Sequence, residues 1–199
     1  MPDQPTDARQ RRTRAALYAA VLELAAQSDP AEIGVTTLAA RAGVHRSTVY
    51  EHGGSALGVL QRALAEELDM LREAHLRGVP VERVGEALRD VTLGVFGHVD
   101  HYAAVYRNLD AASGATLHAF LSEHFQTSTR ILLAQSSLAI PFEVDGVDRP
   151  HLEDAAVRYI ADGVVGLIAA WLQQPEPRDP QVQLELLGHL MPSWWPAAG

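Results

Sequence analysis

Arg46, Ser47 and Tyr50 bring together, within five positions, side chains that can read a nucleic-acid duplex. The guanidinium donates in a bidentate fork, the small hydroxyl donates or accepts, and the aromatic ring carries a polar tip, a set that suits base edges and phosphates. Thr48 between them serves either a phosphate or a local cap. Glu51 would accept from a cytosine amino group or repel phosphate, and His52 stands where a helix end can meet a phosphate or simply terminate. Thr36, Thr37 and Arg41, just upstream, are weaker candidates for the same surface, because helix starts carry such residues for capping alone.

Other chemistries find little support. His98 and His101, three apart with Asp100 between them, could place two imidazoles on one helical face, but no third ligand falls at useful spacing, so no metal is expected. The chain contains no cysteine, which removes disulfides, thiolate clusters and a cysteine nucleophile. A nucleophile elbow, a phosphate-binding glycine loop and a zinc-protease helix are all missing, so neither an enzyme nor a bound cofactor is expected.

The elements that must position Arg46, Ser47 and Tyr50 are short helices. Leu17, Ala20, Val21 and Leu24 mark an apolar stripe at helical spacing, stopped by Ser28-Asp29-Pro30. Val35, Leu38, Ala39 and Ala42 predict a second helix ending at Gly43, and a third should cover 46–52 before Gly53-Gly54. Helices of two turns do not persist alone, so both must pack on the first, through Leu17, Val21 and Leu24. Gly43 can take the left-handed conformation that lets the chain turn sharply, with Val44 buried in the corner. This is the grammar of a helix-turn-helix.

Six further apolar stripes follow at helical spacing, and no strand signal appears, so the fold class is all-α with about nine helices. Breaks are expected near Gly78-Val79-Pro80, at Ser113-Gly114, over a loop at 140–150 and at Pro175-Glu176-Pro177. In the eighth helix Gly163, Gly166, Ala169 and Ala170 lower intrinsic stability, by about 1 kcal/mol for each glycine relative to alanine. Small residues there imply close approach of another helix, within the bundle or across a dimer.

The 199 residues carry a net charge of −9, and every basic residue is arginine. Residues 1–50 are nearly balanced at +1, whereas the remainder carries −10, an asymmetry that fits nucleic-acid contact at the N-terminal end. The polar N-terminus lacks the apolar stretch of a signal peptide. The longest apolar run, 164–172, falls short of the roughly 20 residues a membrane span takes, so a cytoplasmic protein with no membrane association is expected.

Ala42-Gly43-Val44 followed at the right spacing by Thr48-Val49-Tyr50, with His52 beyond, resembles the N-terminal signature of the TetR family of bacterial transcriptional regulators. The resemblance is specific over about 11–60 and looser over the whole chain, and 163–172 resembles the helix that helps form the family's dimer interface. It implies a helix-turn-helix DNA-binding domain at 1–57 and, at 58–199, a helical bundle for ligand binding and dimerisation. The expected function is that of a ligand-responsive homodimeric repressor on a palindromic double-stranded DNA operator, with an unidentified small-molecule effector. Phe96, Tyr102, Tyr106, Phe120, His124, Tyr159 and Trp171, bulky or polar residues on apolar helical faces, are the candidates for its pocket. The chain departs from the family pattern at Gly53, where an aromatic is usual, at Ala56, where a phosphate-contacting lysine is usual, and at Gly34, a weaker cap than a hydroxyl. These departures, with Glu51 and the acidic body, frame the alternative: a small-molecule-binding or protein-interaction module with a degenerate DNA-binding head.

Overall fold

The computed structural model describes residues 5–112, 114–135 and 138–196. Among them the chain is all-α, with α1 (Pro5–Ala25), α2 (Val35–Ala42), α3 (Arg46–Gly53), α4 (Ala56–Leu76), α5 (Val84–His101), α6 (Ala103–Ala112), α7 (Gly114–Ala134), α8 (Arg149–Leu172) and α9 (Pro180–Leu190). A 3-10 turn at Val81–Arg83 leads into α5, and sequence periodicity alone does not show it. Ser113, half of the expected break between α6 and α7, lies outside the described residues.

Two compact units divide the chain. The first holds residues up to Glu67 together with Tyr102–Gly114; the second holds Leu68–His101 and the residues from 115 onward. In the first, Leu17, Ala20, Val21 and Ala25 of α1 are buried with Leu38 and Ala39 of α2, Val49 of α3, Leu60 and Leu64 of α4 and Leu109 of α6. Leu24, expected in that stripe, is only half buried. Asn108 of α6 donates from Nδ2 to the Ala25 carbonyl at 2.8 Å, satisfying one of the acceptors that the end of α1 leaves open. Two phenols on this unit donate to carboxylates of α4, Tyr18 to Glu66 at 2.8 Å and Tyr102 to Glu67 at 3.0 Å. Burial and the neighbouring carboxylates push both phenols up to about 12, so they remain O–H donors at neutral pH.

In the second unit α8 supplies the central apolar stripe: Val157, Ile160, Ala161, Val165, Ile168, Trp171 and Leu172 are all buried. By length and composition α8 could cross a membrane, with mean hydropathy 1.5 over its most apolar window. Within the unit, 39% of that window is buried. Asp148 caps α8 by accepting from the His151 N–H at 2.8 Å, and Asp179 caps α9 by accepting from the Gln181 N–H at 2.8 Å. A Cβ added at Gly163 or Gly166 would meet nothing within 4 Å, and both glycines are exposed. Among the described residues, then, no close neighbour explains why they are small.

The segment between α8 and α9 is fixed by one buried cation. The Arg178 side chain is 2% exposed; its Nη2 lies 2.6 Å and its Nε 2.7 Å from Asp100 Oδ1 on α5. Glu176 lies 3.2 Å away, and the guanidinium sits 5.7 Å from the centroid of the Trp171 ring, which meets Phe96 edge-on at 5.2 Å.

Candidate nucleic-acid interface and ligand cavity

The turn between α2 and α3 is built from backbone alone. Gly43 sits at φ 66°, ψ 33°, and its N–H donates to the Ala40 carbonyl. The Val44 N–H donates to the Ala39 carbonyl at 3.0 Å, which completes a Schellman motif. Val44 itself is half buried rather than enclosed. Neither Gly34 before α2 nor His45 before α3 offers a side-chain cap.

Val49 is the buried anchor of α3, and the residues around it face out. Arg46, Ser47, Glu51 and Tyr50 are exposed, Tyr50 to 60%. Thr48 and His52 are half buried. Thr36, Thr37 and Arg41 on α2 are exposed as well, but Arg41 is paired with Glu23 of α1. Together α2 and α3 offer one surface with a guanidinium, hydroxyls and an aromatic, anchored from behind by Leu38, Ala39 and Val49.

The junction of α3 and α4 accounts for Gly53 and Ala56, two of the three departures from the pattern the sequence resembles. A Cβ on Gly53 would lie 2.4 Å from the Val59 N, and one on Gly58 would lie 2.1 Å from the Gly53 carbonyl oxygen. The two backbones therefore meet in a contact that no side chain at either position would permit. Ala56 is 2% exposed, so it belongs to the core. Sequence reasoning passed over Gly58; the signal was a pair of glycines bracketing the turn. Gly58→Ala is expected to destabilise the protein by about 1–3 kcal/mol, the cost of overpacking against backbone. A urea titration that places its midpoint at the parent's value would contradict the close approach.

The second unit holds a cavity of about 120 Å³, partly open to solvent, between α4, α5, α7, α8 and α9. Of the candidates named from sequence, Phe96 and His124 line it. Trp171 is buried against Phe96 without reaching the lining. Tyr102 and Tyr106 belong to the first unit, where Tyr106 is fully buried and its phenol pushed up by that burial. Phe120 is half buried and Tyr159 is 71% exposed; neither borders the cavity. Residues the sequence reading missed are Arg72, Thr92, Ser128, Thr129 and Trp195. A cationic or hydroxyl residue on an apolar helical face looks like solvent exposure in the sequence, and Trp195, beyond the end of α9, lies on no helical face at all. Among the described residues no group of three histidines or acids could hold a metal.

The chain matches no family model, and no curated protein matches its sequence. Solved structures do match. Thermus thermophilus FadR, described as a TetR-family transcriptional repressor in complex with lauroyl-CoA, superposes with a TM-score of 0.58 at 20% identity, covering 94% of this chain and 99% of that one. A TetR-family transcriptional regulator from Streptomyces coelicolor gives 0.58 at 20% identity, covering 90% of this chain and 78% of its own. The dihydroxyacetone kinase operon activator DhaS gives 0.60 at 13% identity, covering 89% and 93%. The fold is that of the TetR-family regulators. On this TetR-type fold, Ala42-Gly43-Val44 forms the turn, Thr48-Val49-Tyr50 lies on α3, and the departures at Gly53 and Ala56 fall at the junction of α3 with α4.

Proposed function

We propose that the protein is a DNA-binding transcriptional regulator of the TetR type: a cytoplasmic, homodimeric, ligand-responsive repressor acting on a palindromic operator. Residues 1–57 form its DNA-binding domain and 58–199 its ligand-binding and dimerisation bundle. The observation that carries this reading is α3, anchored by buried Val49 while Arg46, Ser47 and Tyr50 stand exposed on its other side. Thr36, Thr37, Arg41, Thr48 and His52 flank it for the phosphates. Arg41 reaches DNA only by leaving Glu23. Two such helices related by a two-fold axis enter successive major grooves.

The dimer reading is supported by α8, whose Gly163 and Gly166 face open space and whose Tyr159 is exposed, a surface suited to close approach by a second copy. Ligand in the cavity favours a conformation with different head spacing, and operator affinity falls by that coupling. Catalysis plays no part in this function.

The test is retention of fragments of the source genome by the full-length protein at low salt, followed by operator titrations of Arg46→Ala at fixed salt. Loss of one bidentate base contact should weaken specific binding by about 1–3 kcal/mol and relax the preference at one base pair, with the dimer intact by sizing. A parent protein that retains no fragment refutes the proposal and favours the degenerate-head alternative. An unchanged affinity for Arg46→Ala refutes Arg46 as a reader.

A further inference from the structure

Taking the cavity as the effector site, we propose that its ligand is a neutral, compact apolar molecule, one ring or a short branched chain, with a single hydrogen-bond-accepting oxygen that Arg72 holds. The volume sets the size of the part seated between the helices. At about 120 Å³ the cavity is slightly smaller than the engineered one of about 150 Å³ that binds benzene. Its walls are largely Leu, Val, Phe and Ile, including Leu68, Val91, Phe96 and Ile160, so most of the ligand must be hydrocarbon.

The polar end decides the ligand's chemistry. Ser128 donates its hydroxyl proton to the His124 carbonyl at 3.1 Å, and Thr129 donates to the Phe125 carbonyl at 2.9 Å. Both protons are committed to the helix backbone. His124 is held neutral by burial and by the Arg72 charge against the opposing pull of Asp69, so it brings no cation. Arg72 remains. Its Nη1 donates to Ser128 at 3.2 Å and lies 2.7 Å from Asp69 Oδ1. Among the described residues nothing else accepts from Arg72, so the N–H groups on Nε and Nη2 have no acceptor in the protein and can be recruited by a ligand beside this lining residue.

Those donors select an acceptor, and Asp69 selects its charge. The Arg72 cation is already matched by that carboxylate, so an anionic ligand would bring a second negative charge into a low-dielectric site with no surplus cation to offset its desolvation. A ketone, ester or lactone oxygen accepts the same hydrogen bonds without that cost.

Three one-ring probes of similar size test this by calorimetry on the full-length protein: acetophenone, ethylbenzene and benzoate. Acetophenone should bind at least ~10-fold more tightly than either, the gain expected of a hydrogen bond to a charged donor. Arg72→Leu should bring acetophenone down to the ethylbenzene level and leave ethylbenzene within about twofold. Asp69→Asn, a change at a half-exposed side chain, should reverse the order and favour benzoate over acetophenone by roughly 10-fold. Equal binding of acetophenone and ethylbenzene to the parent, tighter binding of benzoate, or no binding of any probe overturns the inference. DNA retention measured without probe separates the two readings. Retention with failed calorimetry sinks only the ligand class, and calorimetry as expected with no retention sinks only the regulator.

Discussion

Asp100→Ala is expected to destabilise the protein by about 3 kcal/mol, seen as a fall in melting temperature of roughly 6–12 °C. The reason is what the substitution leaves behind. Arg178 stays buried at 2% exposure, with Glu176 at 3.2 Å as the remaining carboxylate among the described residues. Removing one partner of a buried pair costs about 3–5 kcal/mol because the surviving charge is uncompensated, and the low end applies here because Asp100 is 36% exposed. The converse substitution should cost less: Arg178→Met leaves an apolar side chain on Trp171 and a carboxylate that water can reach. The double variant is therefore expected to be more stable than Asp100→Ala alone. Thermal unfolding of all three against the parent decides the matter, and an Asp100→Ala melting point within a degree of the parent's would show that the pair fixes nothing.

Acid should unfold the protein through His98. This imidazole is buried on α5, and burial, reinforced by His101 and His124, holds it down to about 4. Above pH 6.5 the group is neutral in both folded and unfolded chains and contributes no pH dependence. Between 6.5 and 4 the unfolded chain takes up the proton while the folded chain refuses it, so stability falls as the pH falls, by about 1.4 kcal/mol per unit. The total is about 3 kcal/mol by pH 4, below which the effect levels off. Carboxylates titrate in the same range, so the measurement is a difference: urea midpoints from pH 7 to 4 for the parent and for His98→Gln. The variant should show a shallower loss over that window. Identical slopes would mean that His98 protonates in the folded state as readily as in the unfolded one.

Much of the architecture could be read from spacing. Leu17 and Val21, Leu38, and Val49 recur at positions that only helices bring to one side, and all are fully buried. Gly43 marked the turn because the position needs a left-handed backbone, and the chain takes that conformation there. The cavity was much less legible. Spacing tells which residues share a helical face, but not which faces converge with room between them, so it does not separate Tyr102 and Tyr106 from residues that line the cavity. The two tyrosines belong to a different unit from the cavity. Arg72 was invisible for a related reason: its role depends on Ser128, 56 positions away, and no local pattern announces that partner. The close approach of Gly53 and Gly58 is likewise a distance between backbones, and residue type only hints at it.

The corner at Gly43 is held by main-chain hydrogen bonds, and α3 is secured behind it by Val49. No outward side chain of that helix is needed to keep it in place. On the proposed reading, changing the residues at 46, 47 and 50 should alter which duplex is preferred and leave the melting curve almost where it was. If those residues read DNA as proposed, the vocabulary of recognition can drift independently of the scaffold that displays it.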